Sequence, residues 1–184
     1  MRIIDVHIHV GHLFELPGEA RNFLIERCPY TECIFDKEGK QRPQDYGDVI
    51  KKEGIFGGIL VPLCSSLEFG TKLFERVLEI QTFHPELIPF ASINPACHED
   101  IEDAFESQLK NGAKGLALGA LNGCSYVSDG RLYPIYERCE RKKIPVMFHG
   151  GAAPYQNQGV RFLDPHKLSS LLADFPHMKV ILSH

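Results

Sequence analysis

Six short apolar segments recur along this chain, and after the first interval they are spaced by about 30 residues, the size of one strand-helix unit. They are continuous apolar runs rather than alternating ones, which is typical of parallel strands that are covered by helices. The pattern therefore predicts an α/β fold with a parallel sheet. The predicted strands span residues 2–10, 57–63, 87–94, 114–119, 144–149 and 179–184.

The segments between these strands carry helical patterns. Leu132, Ile135, Tyr136 and Cys139 have the i, i+3, i+4, i+7 spacing of one helix face, which also predicts that Cys139 lies in the core. The same spacing follows Asp164 and Pro165, a predicted N-cap and first helical residue. In all, the predicted helices span residues 19–26, 44–53, 69–80, 101–109, 132–139 and 168–175.

The first strand contains the sequence Asp5-Val6-His7-Ile8-His9. Side chains two residues apart on a strand face the same side, so His7 and His9 are expected to project together, with Asp5 behind them on that face. Two further predicted strands end in His149 and His184. Two imidazoles on one strand face can meet one metal ion, and four histidines at the C-terminal ends of three strands indicate a functional site.

Two architectures fit alternating strands and helices: an open doubly wound sheet and a (β/α)8 TIM barrel. No glycine-rich dinucleotide fingerprint follows the first strand. Strands of a barrel converge on one axis, so histidines at several strand ends favour the barrel. We therefore expect one barrel domain over residues 1–184, with about six of its eight strand-helix units and a long loop insertion at about residues 11–43.

The insertion admits two interpretations. Long ordered loops above a parallel sheet serve as lids or binding loops, and the alternative is a surface insertion without a role.

Composition excludes several classes of function. The net charge of -4 and the pI of about 6.1 do not favour binding to nucleic acid or to an anionic membrane. The sequence has no signal-like start and no apolar stretch that approaches the roughly 18 residues of a membrane span. The expected compartment is the cytoplasm, where the six cysteines would be free thiols.

Taken in order, five motifs resemble the amidohydrolase superfamily, and within it the amidohydrolase 2 branch typified by aminocarboxymuconate-semialdehyde decarboxylase. They are IDVHIHVG (4–11), GAKGL (112–116), DGRLYPIY (129–136), IPVMFHG (144–150) and FPHMKVILSH (175–184). The resemblance implies a TIM-like barrel in which His7, His9 and His149 ligate a divalent metal, usually zinc. Their ring nitrogens are therefore expected to converge within about 4 Å of one another or of a common ion. The resemblance also implies that His184 is the catalytic histidine near that metal.

Arg161, in the loop after His149, is a candidate for binding a substrate carboxylate through its planar guanidinium group. The alternative is a surface arginine near a helix start. Many relatives have a lysine and a histidine on the fourth strand where this chain has Ala117 and Gly119.

The family's remaining ligand and base is an aspartate at the end of the eighth strand, whereas this sequence ends at the sixth. Three explanations are open: an incomplete copy of a longer protein, a second copy of the chain that closes the gap as a homo-oligomer, or a degenerate remnant. If this chain is the whole polypeptide, its first and sixth strands are expected to have unpaired edges.

The predicted function is a metal-dependent hydrolase that cleaves a small amide, lactone or related C–N or C–O bond, with a small-molecule substrate as its partner. A non-oxidative decarboxylase of a small unsaturated or aromatic acid, acting on the same metal site, is the alternative. The second alternative, from a different class, is an inactive fragment or interaction module with a vestigial site.

Overall fold

The computed structural model describes residues 2–16, 18–62, 73–95, 98–118, 127–149 and 165–183. In these ranges strands and helices alternate, as the sequence predicts. The strands are β1 (Ile3–Val10), β2 (Ile55–Pro62), β3 (Leu87–Ser92), β4 (Gly115–Leu118), β5 (Val146–His149) and β6 (Val180–Ser183). The helices are α1 (Gly18–Arg27), α2 (Thr31–Ile34), α3 (Tyr46–Lys52), α4 (Leu73–Phe83), α5 (Ile101–Lys110), α6 (Tyr133–Lys142) and α7 (Pro165–Asp174).

The six strands form one parallel sheet in the order β1-β2-β3-β4-β5-β6. Each strand pairs with its sequence neighbours, which is the topology of a barrel wall. Within the described ranges β1 pairs only with β2, and β6 pairs only with β5. Apolar side chains are exposed on both outer strands: Ile4 and Val6 on β1 and Leu182 on β6.

The sheet curls strongly, and this decides between the two predicted architectures. In a flat sheet, β1 and β5 would lie about 19 Å apart, because three strands separate them and neighbours are about 4.8 Å apart. Here Nε2 of His9 on β1 lies 3.4 Å from Nε2 of His149 on β5. The strands therefore follow the wall of a TIM-like barrel, as predicted, and not an open doubly wound sheet.

Apolar side chains pack on both sides of the sheet. The larger cluster lies between the strands and the helices, and it contains Cys139, whose burial raises the pKa of its thiol to about 12. The predicted core position of Cys139 is thus confirmed. A smaller cluster contains the residues that alternate with the first on their strands: Ile59, Val61, Phe90, Ala117 and Met147. This second cluster fills the barrel interior, below the strand ends that carry the histidines.

A β-bulge in β1 changes which residues face the interior. Asp5 lies opposite Gly58 and Ile8 lies opposite Leu60, so two residues of β1 face one residue of β2 between these pairs. Gly58 shares its face of β2 with Leu60 of the larger cluster, so Asp5 also faces the helices, whereas His9 lies opposite Val61 of the interior cluster. The expectation that Asp5 shares a face with His7 and His9 was wrong, because the strict alternation of a strand breaks at a bulge.

The segment that follows β1 is more ordered than its sequence suggests. The predicted helix at residues 19–26 is present as α1, whereas α2 and the short antiparallel bridge between Phe35 and Gln41 were not predicted. Among the described residues, no helix is both long and apolar enough to cross a bilayer.

Candidate metal centre

The structure brings His7, His9 and His149 together at one end of the barrel wall. The ring centroid of His7 lies 4.5 Å from that of His9 and 4.6 Å from that of His149. The His9 and His149 centroids are 5.3 Å apart. One potential ligand nitrogen from each ring lies within 4.8 Å of the others, and among the described residues this is the only such cluster of three metal-ligating side chains.

These three imidazoles fit a zinc ion. Zinc–nitrogen bonds of about 2.0–2.1 Å in a tetrahedron place two ligand nitrogens about 3.4 Å apart, and the Nε2 atoms of His9 and His149 are 3.4 Å apart. A point equidistant from three nitrogens that are 4.8 Å apart lies about 2.8 Å from each, so ring movements of less than about 1 Å would complete the site. The three side chains therefore converge, with ligand nitrogens within 4.8 Å of one another where about 4 Å was expected.

Burial also suits a metal centre. His149 is buried, and His7 and His9 are partly buried, although both belong to a strand with exposed neighbours. Burial disfavours the protonated imidazolium, and neutral imidazole is the form that ligates a metal.

Neither nearby carboxylate that the sequence offers is directed to this cluster. Asp5 accepts a hydrogen bond from the backbone N–H of His7 (2.9 Å) and faces the helix side of the sheet. Glu15 is almost fully buried and accepts two contacts from the Arg76 guanidinium, of 2.5 and 2.7 Å. The cluster in the described residues thus consists of imidazoles alone.

Two other predicted site residues, His184 and Arg161, lie outside the described residues, as does Gly119 on the fourth strand. Their roles remain predictions. Ala117 is buried in the small interior cluster.

His12, three residues beyond His9, is held in one tautomer. Its Nδ1 accepts a hydrogen bond from the backbone N–H of Gln41 (3.0 Å), which places the proton of the neutral ring on Nε2. Its backbone N–H donates to Glu15 (2.9 Å). Burial lowers the pKa of His12, and the positive charge of Arg76 lowers it further, against the opposing effect of Glu15.

We expect an NMR titration to show His12 protonating below the ordinary histidine value of about 6.5. Because the folded state holds His12 neutral while the unfolded chain binds the proton, this residue makes the protein less stable as pH falls through 6.5. Arg76→Met should raise the pKa of His12. Arg138→Met, which breaks a pair with Glu106 elsewhere, should leave it unchanged. An equal shift in both variants would contradict the assigned cause.

Gln41 and Tyr46 also contact the backbone at the end of β1, and no sequence pattern predicted these contacts. The Tyr46 hydroxyl donates to the carbonyl of His9, and the Gln41 side-chain carbonyl accepts from the N–H of Gly11. Both residues lie 30 or more positions from their partners, so no local spacing could have identified them.

Comparison with known protein families and structures gives a consistent result. The sequence profile of the family described as Amidohydrolase matches residues 70–184. Dihydroorotase of Acinetobacter baumannii is 30% identical over 135 residues, and dihydroorotase of Acinetobacter baylyi is 26% identical over 136 residues. Each alignment covers 68% of this chain and 39% of the relative, so the chain spans about two fifths of the length of these curated relatives.

Solved structures of low sequence identity share the fold. An uncharacterized TIM-barrel protein from Bordetella bronchiseptica superposes with a TM-score of 0.70 at 22% identity, over 100% of this chain and 67% of its own. 4-Oxalomesaconate hydratase from Rhodopseudomonas palustris gives 0.61 at 16%, over 98% and 62%. 2,6-Dihydroxybenzoate decarboxylase from Rhizobium gives 0.59 at 15%, over 99% and 66%. These likenesses confirm the predicted TIM-barrel architecture.

Proposed function

Since the chain belongs to the amidohydrolase family, we propose that it provides the metal centre of a metal-dependent hydrolase for a small amide, lactone or related C–N or C–O bond. The observation that carries this proposal is the convergence of His7 and His9 on β1 with His149 on β5. Three neutral imidazoles leave one position of a tetrahedral ion open, which is the arrangement of catalytic rather than structural zinc sites.

Zinc is the proposed metal, because an all-imidazole donor set suits it and its geometry matches the distance between the Nε2 atoms of His9 and His149. When bound, such an ion lowers the pKa of a water molecule toward about 7 and polarises a substrate oxygen. The three histidines would hold the ion, with His7 and His9 on one strand and His149 across the barrel. Since β1 and β5 are far apart in sequence, the site depends on the curl of the sheet.

His184 is the proposed catalytic histidine, acting as general base or as a hydrogen-bond partner of the developing oxyanion. Its support is the pairing of β5 with β6. Ser183, the residue before His184 in the sequence, lies opposite His149. Parallel neighbours end at the same edge of a sheet, which is where the active site of a TIM barrel lies.

The curated relatives favour hydrolysis over decarboxylation. They are dihydroorotases, and dihydroorotate is a small cyclic amide, so a small-molecule amide is the proposed substrate. The decarboxylase alternative depends on Arg161, which lies outside the described residues, and the likeness to a decarboxylase extends to the fold alone.

We also propose a cytoplasmic location for the protein. Cys28, Cys33 and Cys139 are free thiols, which is the state that a reducing compartment maintains.

The test is a product assay with zinc-loaded protein and a panel of cyclic amides, linear amides, lactones and unsaturated carboxylic acids. We expect ring-opened or cleaved products from an amide or lactone, no release of carbon dioxide, and loss of turnover on chelation that zinc restores. Carbon dioxide release from a carboxylic acid would instead establish the decarboxylase. A protein that binds zinc but turns over none of these compounds would support the vestigial site and contradict the hydrolase.

A further inference from the structure

Two buried polar side chains form hydrogen bonds with the backbone at the end of β1. The hydroxyl of Tyr46, which begins α3, donates to the carbonyl oxygen of His9 at 3.2 Å. The side-chain carbonyl of Gln41 accepts from the backbone N–H of Gly11 at 3.1 Å. Tyr46 is 2% exposed and Gln41 is 5% exposed. Buried polar groups are destabilising unless they are hydrogen-bonded, and the partners here are the backbone of His9 on β1 and of Gly11 just after it.

Gln41 and Tyr46 are themselves held in place by contacts with residues outside β1. Gln41 forms the antiparallel bridge with Phe35 and donates its backbone N–H to Nδ1 of His12. The helix that begins at Tyr46 is fixed to the end of α4, because the N–H of Gly47 donates to Nε2 of buried His84 at 3.1 Å. A methyl group on Gly47 would lie 2.2 Å from the His84 ring, so this contact is tight. These contacts fix the positions of Gln41 and Tyr46 relative to the rest of the structure.

The end of β1 needs such support. In the described residues β1 pairs with β2 alone, and the bulge between Asp5 and Ile8 interrupts even that pairing. Metal–nitrogen bonds tolerate errors of only a few tenths of an ångström, so the backbone that carries His7 and His9 must be held closely.

We infer that Gln41 and Tyr46 are positioning residues that hold the end of β1, and thereby His7 and His9, in the geometry that metal binding requires. The inference rests on the proposed metal centre. It also gives the insertion at residues 11–43 a role that neither a lid nor an inert surface loop would have. Gln41, inside this segment, and Tyr46, just after it, hydrogen-bond to the backbone at the end of β1.

The test compares zinc dissociation constants, measured by competition with a chromophoric chelator, in Tyr46→Phe and Gln41→Met. Each variant removes one hydrogen bond to β1 and keeps the side chain's size. We expect zinc affinity to fall about 10-fold in each, as for partners that orient metal ligands indirectly. Tyr136→Phe and Gln108→Met are the matched controls. Their buried side chains contact the backbone at Val127 and Ser92 and do not touch β1.

The controls should lower the melting temperature by a similar amount and change zinc affinity less than 2-fold. Hydrogen–deuterium exchange of the metal-free proteins supplies a readout that does not depend on zinc. Peptides covering residues 7–12 should exchange faster in Tyr46→Phe and Gln41→Met than in the controls. Failure of the unaltered protein to bind zinc would refute the metal centre, whereas unchanged exchange at residues 7–12, or equal loss of affinity in the controls, would refute the positioning role.

Discussion

Replacing His149 by alanine is expected to lower zinc affinity at least about 100-fold and to abolish turnover. Structural zinc sites contribute roughly 10–16 kcal/mol through about four ligands, so one ligand is worth about 3 kcal/mol or more. His149 is the only member of the cluster that is not on β1. Its removal would leave His7 and His9 with no third described ligand. Zinc content after dialysis and the dissociation constant measure the effect.

Cys28→Ser is the control for this substitution, because Cys28 is a free thiol outside the cluster. It should leave zinc content unchanged. Lowering the pH below about 6.5, the reference histidine value, should weaken zinc binding in the unaltered protein, since protons compete with the metal for imidazole nitrogens. Equal losses in His149→Ala and Cys28→Ser would mean that the ligands are misassigned.

Gly58→Ala is expected to destabilise the protein by about 3 kcal/mol, the upper range for forcing an extra methyl group into a packed site. An added Cβ at Gly58 would lie 2.6 Å from the carbonyl oxygen of Asp5 and 2.4 Å from the side chain of Ile8. The first of these atoms belongs to the backbone of β1, so relief requires β1 and β2 to separate beside the metal-site histidines.

Thermal unfolding should show a melting temperature lower by roughly 10 °C, from about 2–4 °C per kcal/mol in a chain of this size. Zinc affinity should fall as well, because the bulge of β1 sets the direction of His7. Gly130→Ala is the control, since an added Cβ there meets no atom within 4 Å. Similar melting temperatures for the two variants would show that β1 and β2 do not approach as closely as described.

The sequence predicted the barrel strands well because their signals are local. Each strand is a continuous apolar run between helical stripes, and β1 to β6 lie within two or three residues of the predicted bounds. The stripe that contains Ile135, Tyr136 and Cys139 is buried on α6, as predicted. Such patterns need only the periodicities of strand and helix, which are properties of neighbouring residues.

The prediction that Asp5 shares a strand face with His7 and His9 was wrong, and no local sequence pattern contains the reason. The bulge depends on how β1 aligns with β2, where Gly58 lets the Asp5 carbonyl come close. α2 was missed because it is a single turn without a repeated apolar stripe. The contacts of Gln41 and Tyr46 with β1 join residues 30 and 37 positions apart, and polar residues of this kind are common in loops that make no such contact.

By itself, the sequence determined the alternation of strands and helices, the placement of His7, His9 and His149 at strand ends, and the family to which the chain belongs. These follow from local periodicity and short motifs. Only the tertiary structure decided that the sheet curls and that the bulge directs Asp5 away from His7 and His9. It also decided that Gln41 and Tyr46 hydrogen-bond to the backbone at the end of β1. The reason is physical: curvature, register and long-range hydrogen bonds are set by packing between segments that are distant in sequence.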